Sequence, residues 1–246
     1  MRRAPLALLL ALLAGLLFLG AAPPPAASER AAEREAMVLS VESLAAVEGP
    51  REQRRIDPKV LAVMRKVPRH LLVPEDVRAD AYANRPLPIG HEATISQPYI
   101  VALMSHLLRA RTTDKVLEVG TGSGYQAAIL SGLAREVYSI EIVEPLARRA
   151  AAQLAELGYA NVHVRAGDGY KGWPSEAPFD RIIVTAGADH IPQPLLDQLK
   201  PGGRMVIPLG RSQDSLALTV VDKDASGRIT RRELLPVRFV PLTRER

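Results

Sequence analysis

The sequence predicts an α/β fold: a doubly wound, mostly parallel sheet with antiparallel strands at its C-terminal end. Three observations predict it. From Lys115 onward, short apolar runs alternate with amphipathic segments across short connections. The first of these runs enters the glycine-rich turn of VLEVGTGSGYQAAIL, Val116 to Leu130. Towards the end, strand-like runs flank the turn Asp224-Ala225-Ser226-Gly227. A chain of 246 residues, 47% apolar, can bury one substantial core plus a small appendage.

At the N-terminus, Met1-Arg2-Arg3 precedes the apolar run Leu6 to Ala22 and then Pro23-Pro24-Pro25-Ala26-Ala27-Ser28. A basic start, an apolar stretch and small residues at the exit make a secretory leader over residues 1–27, cleaved after Ala22 or Ala27, and an exported or periplasmic protein. The run is slightly shorter than the roughly 20 residues of a spanning helix, so a retained anchor is one alternative and the only one that involves a membrane. Translation from Met37, leaving a cytoplasmic protein, is another. Residues 28–55 read as an Ala-, Glu- and Arg-rich joint, and 56–246 as the domain proper.

Ile56, Val60, Leu61, Met64 and Val67 have helical spacing after the helix start Asp57-Pro58. Pro68 to Pro88 is too broken for a long helix or a central strand and reads as an irregular cover. Pro98 starts a helix carrying Ile100, Val101, Met104, Leu107 and Leu108. Strands are expected at Lys115 to Val119, Glu136 to Ile140, Asn161 to Arg165, Asp180 to Thr185, Arg204 to Pro208 and Ser215 to Asp222. Helices are expected at Tyr125 to Leu133, Pro145 to Leu157 and Pro192 to Leu199, the last stopped by Lys200-Pro201-Gly202-Gly203.

The glycine turn narrows the ligand. Gly120, Gly122 and Gly124 let backbone approach a ligand at the strand ends. A P-loop needs Gly-Lys-Ser/Thr, but Tyr125-Gln126 follows Gly124; a dinucleotide fingerprint needs glycine at its sixth position, which is Tyr125. Glu118 precedes the turn, Glu141 ends the next strand, and Gly167-Asp168-Gly169 follows the third. Carboxylates at three successive strand ends suit a cationic, ribose-bearing adenosine ligand, and S-adenosylmethionine fits that description. Each element taken alone is also an ordinary turn or a solvated charge.

Composition removes other classes. Without cysteine there are no disulfides, thiolate metal sites, lipoprotein anchors or cysteine nucleophiles, and none of the five histidines has metal-ligand spacing. The formal charge of +5 is spread out, and three Phe and one Trp give no stacking platform, so no nucleic-acid partner is expected. The Asn-Pro-Pro-aromatic element of amino methylation in DNA is missing, since the fourth strand ends Val184-Thr185-Ala186-Gly187. An exported transferase acting on another carboxylate or a small-molecule acceptor, and a non-catalytic ligand-binding protein, stay as alternatives.

Pro88-Ile89-Gly90-His91-Glu92-Ala93-Thr94-Ile95-Ser96-Gln97-Pro98-Tyr99 is the most specific stretch. With Leu117 to Tyr125, Gly167-Asp168-Gly169, Phe179 to Ala186, Leu199 to Gly203 and Val237 to Leu242, it resembles the protein-L-isoaspartate O-methyltransferases, a family of class I S-adenosylmethionine-dependent enzymes. Glu92-Ala93 stand where the family more often has Gly-Gln, and Tyr99 where many members have His. The resemblance implies a Rossmann-like methyltransferase fold, S-adenosyl-L-methionine as cofactor, and protein or peptide substrates containing L-isoaspartate. It implies Ser96 as the active-site hydroxyl and Ser96, Gln97 and Tyr99 as substrate contacts. The cofactor would be held by Thr94, Glu118, Gly120, Thr121, Gly122, Ser123, Gly124, Glu141, Ile142, Asp168, Gly169 and Thr185. A helix starting at Pro98 would favour an anion at Ser96, although Ser96 could equally be that helix's cap.

Overall fold

A computed structural model describes residues 29–49, 54–212 and 215–244; the leader expected over residues 1–27 lies outside them. The joint expected at 28–55 is largely a helix, α1 (Ala31–Glu48), which buries Met37, Val38, Val41 and Ala45. Its many Ala, Glu and Arg residues look solvated in sequence, but this narrow stripe is enough to bind it to the core. The next helix, α2 (Pro58–Met64), starts as expected: Asp57 Oδ1 accepts from the Lys59 amide at 2.8 Å, with Pro58 in the first turn. It stops three residues short of Val67, which stays buried outside it. Short 3-10 turns at Arg69–Leu72 and Glu75–Asp80 form the irregular cover.

An element absent from the sequence reading follows. Strands β1 (Leu87–Gly90) and β2 (Ala93–Ile95) form an antiparallel hairpin whose two turn residues, His91 and Glu92, have φ of 53° and 58°. Such tight turns normally carry Asn-Gly, so the sequence gives no hairpin signal here. An Arg149 Nη2 hydrogen bond to the Ile89 carbonyl, 2.8 Å, holds the hairpin down. Then comes α3 (Pro98–Leu108).

The main sheet contains β3 (Lys115–Val119), β4 (Glu136–Glu141), β5 (Val162–Ala166), β6 (Phe179–Val184), β7 (Leu199–Leu209), β8 (Leu216–Lys223) and β9 (Ile229–Val237). Their order is β5-β4-β3-β6-β7-β8-β9, with β3 to β7 parallel and β8 and β9 antiparallel to their neighbours. Between them lie α4 (Tyr125–Ser131), α5 (Glu144–Glu156) and α6 (Gln193–Gln198). Residues 200–203, read as a helix stop, already belong to β7, because α6 ends at Gln198 and the chain turns straight into the strand.

Side-chain alternation divides the core. Val116, Val137, Ile183 and Val206 pack with residues of α1 to α5, whereas Leu117, Val119, Ile182, Val184 and Met205 pack with Leu195 of α6. Strand order reverses at β3, between β4 and β6. A crevice therefore opens beyond their carboxyl ends.

Candidate active site

A cavity of about 310 Å³ occupies that crevice. Its walls come from the glycine turn, the end of β4, the hairpin and its exit through Ser96, and the C-terminal segment Val240 to Thr243. The turn is held by its own polar groups. Thr185 Oγ1 lies 2.6 Å from the Gly120 carbonyl and 3.1 Å from that of Val119, donating to them across β3 and β6. A Cβ on Gly120, whose φ is +100°, would overlap this hydroxyl. Only glycine fits.

Glu141 accepts from the amides of Gly122 (2.8 Å) and Val143 (2.9 Å), and its carboxylate reaches the cavity wall. Beneath the turn, Thr121 Oγ1 meets Ser139 Oγ at 2.5 Å, and Ser139 donates in turn to Glu118. Glu118 is completely buried and does not line the cavity. Burial raises its pKa to about 8, against the opposing Ser139 bond and with help from the Glu141 charge. Among the described residues its other oxygen has no hydrogen-bond partner. The direct ligand contact expected of Glu118 is thus replaced by support from below.

Of the remaining expected residues, Thr94, Thr121, Gly122, Ser123, Ile142, Gly169 and Thr185 reach the cavity. Gly124 instead caps α4 at φ +83°, and Asp168 caps the turn Gly169–Lys171 by accepting from the Tyr170 amide at 2.9 Å. The walls fit the ligand expected from sequence. Glu92 and Glu141 line the cavity and, among the described residues, no Lys or Arg does. That favours a sulfonium cation and disfavours a pyrophosphate.

Ser96 lies between β2 and α3, where the cavity meets an open groove of about 470 Å³. The two spaces share Thr94, Ser96, Thr185 and Val240, while Gln97 and Tyr99 line the groove alone. Gln97, not Ser96, occupies the cap position of α3, and no side chain caps it. The Ser96 hydroxyl is therefore not spent on capping. The helix end offers less than the sequence suggested, since Pro98 has no amide and the Tyr99 amide donates to Asn84 Oδ1 at 3.1 Å.

Sequence reasoning missed the C-terminal wall. The Gly187 amide donates to the Val240 carbonyl (2.8 Å) and the Leu242 amide to the Gly187 carbonyl (2.7 Å), clipping this segment beside the end of β6. No periodicity marks it; only its likeness to the family's closing motif could have.

Fold and site together define a Rossmann-like, S-adenosylmethionine-dependent methyltransferase. Residues 43–246 match the family model described as protein-L-isoaspartate(D-aspartate) O-methyltransferase, PCMT. The chain belongs to that family. It is 55% identical over 238 residues to the protein-L-isoaspartate O-methyltransferase of Opitutus terrae, covering 96% of this chain and 98% of that one. It is 62% identical over 188 residues to protein-L-isoaspartate O-methyltransferase 2 of Syntrophobacter fumaroxidans, 76% of each chain. Among solved structures, a protein-L-isoaspartate O-methyltransferase superposes with a TM-score of 0.74 at 26% identity, over 85% of this chain and 65% of that one. A Plasmodium falciparum chain assigned to the same enzyme, in complex with S-adenosyl-L-homocysteine, shares the fold with a TM-score of 0.72 at 22% identity, over 86% and 99%.

Proposed function

We propose that the cavity holds S-adenosylmethionine and that the groove delivers to Ser96 the free carboxylate of an L-isoaspartyl residue in a damaged protein or peptide. Methylation of that carboxylate initiates repair. One observation carries the reading: Ser96 stands on the short stretch of wall that the cavity and the groove share.

The bound cofactor supplies an electrophilic methyl group on a cationic sulfur. The chain's residues bind and place the partners. A carboxylate is already ionised at neutral pH, so no general base is required, and none of the shared residues Thr94, Ser96, Thr185 and Val240 titrates near neutrality. The Ser96 hydroxyl donates to the incoming carboxylate and fixes its direction. Rate then comes from proximity and exclusion of water. Glu141 would hold the ribose hydroxyls, and Gly169, in the turn that Asp168 caps, would face the adenine end. The turn from Gly120 to Gly124, with Thr121 and Ser123, gives close backbone approach; Thr94, Ile142 and Thr185 complete the wall, and Glu118 braces it. Gln97 and Tyr99 contact the substrate chain.

Replacing Ser96 with Ala tests the assignment: kcat should fall at least about tenfold while affinity for S-adenosylhomocysteine stays within about twofold. Equal losses in both would refute it.

Export belongs to the same proposal and rests on the leader pattern of residues 1–27. A start at Met37 is disfavoured because it would delete Arg34, which is buried and donates to the Arg65 carbonyl at 2.8 Å and to the Tyr82 hydroxyl at 3.1 Å. Intact mass of the protein purified from its source should show a chain starting at Pro23 or Ser28; a chain starting at Met37 would end this reading.

A further inference from the structure

Arg69 occupies a setting that packing does not explain. It is fully buried, where a guanidinium is rarely placed without an acid. Among the described residues no carboxylate pairs with it. Nε donates to the Ala81 carbonyl at 2.7 Å and Nη2 to the Ser96 carbonyl at 2.8 Å. The guanidinium lies 4.7 Å from the ring centre of Tyr125, a residue of the cavity wall. Among the described residues Nη1 has no hydrogen-bond partner, and neither does the buried Tyr125 hydroxyl. Burial lowers the Arg69 pKa only to about 10, so the group stays cationic at neutral pH.

We propose that Arg69 is a positioning residue for methyl transfer: it fixes Ser96 through its carbonyl and supplies, from behind, the positive charge that favours an ionised carboxylate at the Ser96 hydroxyl. The proposal rests on the role given to Ser96 above. Placement behind Ser96 suits the chemistry. As the carboxylate oxygen bonds to the methyl carbon, the carbon–sulfur bond breaks, its electron pair stays on sulfur, and ester and thioether are both neutral. No proton moves. A cation touching the nucleophilic oxygen would hold back the electron pair it must donate; one set back behind a carbonyl draws the anion in and leaves that pair available.

The test uses the full chain and two peptides that differ only at the isoaspartyl residue, one with its free α-carboxylate and one with the carboxamide. Both are measured as ligands in the presence of S-adenosylhomocysteine. The wild type should prefer the carboxylate at least about tenfold. Arg69→Met should lose most of that preference with cofactor affinity within about twofold. Arg69→Lys, which keeps the charge but not the planar fork, should keep the preference and lose turnover. A merely structural arginine would weaken both peptides alike. Wild-type preference in Arg69→Met, or equal weakening, overturns the proposal. Should Arg69→Met not fold, an indifferent wild type, or Arg69→Lys with wild-type kcat, overturns it instead. Failure of the Ser96 reading looks different, as a Ser96→Ala variant that loses kcat and cofactor affinity equally, or as a wild type that methylates no isoaspartyl peptide.

Discussion

Glu118 and Glu141 are both strand-end acids, and depth separates their roles. Glu141 reaches the cavity, whereas Glu118 is sealed beneath the turn with a pKa of about 8, raised chiefly by burial from the ordinary 4.5. The folded protein therefore keeps a proton that the unfolded chain releases, so this group's contribution to stability is full below about pH 4.5 and is lost as pH rises through about 8. Glu118→Gln removes that loss: the melting temperature of the variant relative to wild type should climb between about pH 5 and pH 8 and then level off. A flat difference would mean that Glu118 is ionised in the fold. Gly120→Ala should cost about 2 kcal/mol or more in stability, measured by urea unfolding, because it combines a positive φ with overlap on the Thr185 hydroxyl. An unaffected variant would show that the turn relaxes freely. The sequence spacing placed both acids at strand ends correctly. It could not distinguish their depth, because that depends on what packs across the sheet, here Ser139 and Thr121 closing over Glu118.

The hairpin and α1 are the elements that local sequence conceals, for opposite reasons. His91 and Glu92 adopt left-handed backbone that non-glycine residues enter at a cost of roughly 1–2 kcal/mol each. The turn is imposed by the anchored strands on either side and not by its own residues. Combining His91→Asn with Glu92→Gly should therefore raise stability by about 1 kcal/mol in denaturant melts, and a loss would show that these side chains make compensating contacts. By contrast, α1 forms readily, and what its Ala-, Glu- and Arg-rich composition hides is its attachment. Deleting residues up to Ala36 removes Arg34 and its bonds to Arg65 and Tyr82, and should cost about 2 kcal/mol or more relative to a chain starting at Ser28. Matching urea midpoints for the two chains would contradict the packing described for this helix.

Across the whole molecule, the alternating strands and helices after Lys115 made the parallel sheet and its switch point legible, because short links leave few ways to wind such a chain. The glycine turn and Glu141 follow from that topology. What stayed hidden was assembly at a distance: Val240 to Leu242 reach the cavity from the far end of the chain by clipping to Gly187, and Arg69 reaches the Ser96 carbonyl across 27 residues. Neither relation has a local pattern. The cavity, with Glu92 and Glu141 in its wall, opens at Ser96 into the groove, and one measurement bears on that arrangement above others. Two peptides differing only in Asp versus L-isoAsp are incubated with the full chain and S-adenosylmethionine labelled in its methyl group. Label should appear in the isoAsp peptide alone, as an ester lost in mild base; label in neither peptide, or equally in both, would contradict the role given to this site.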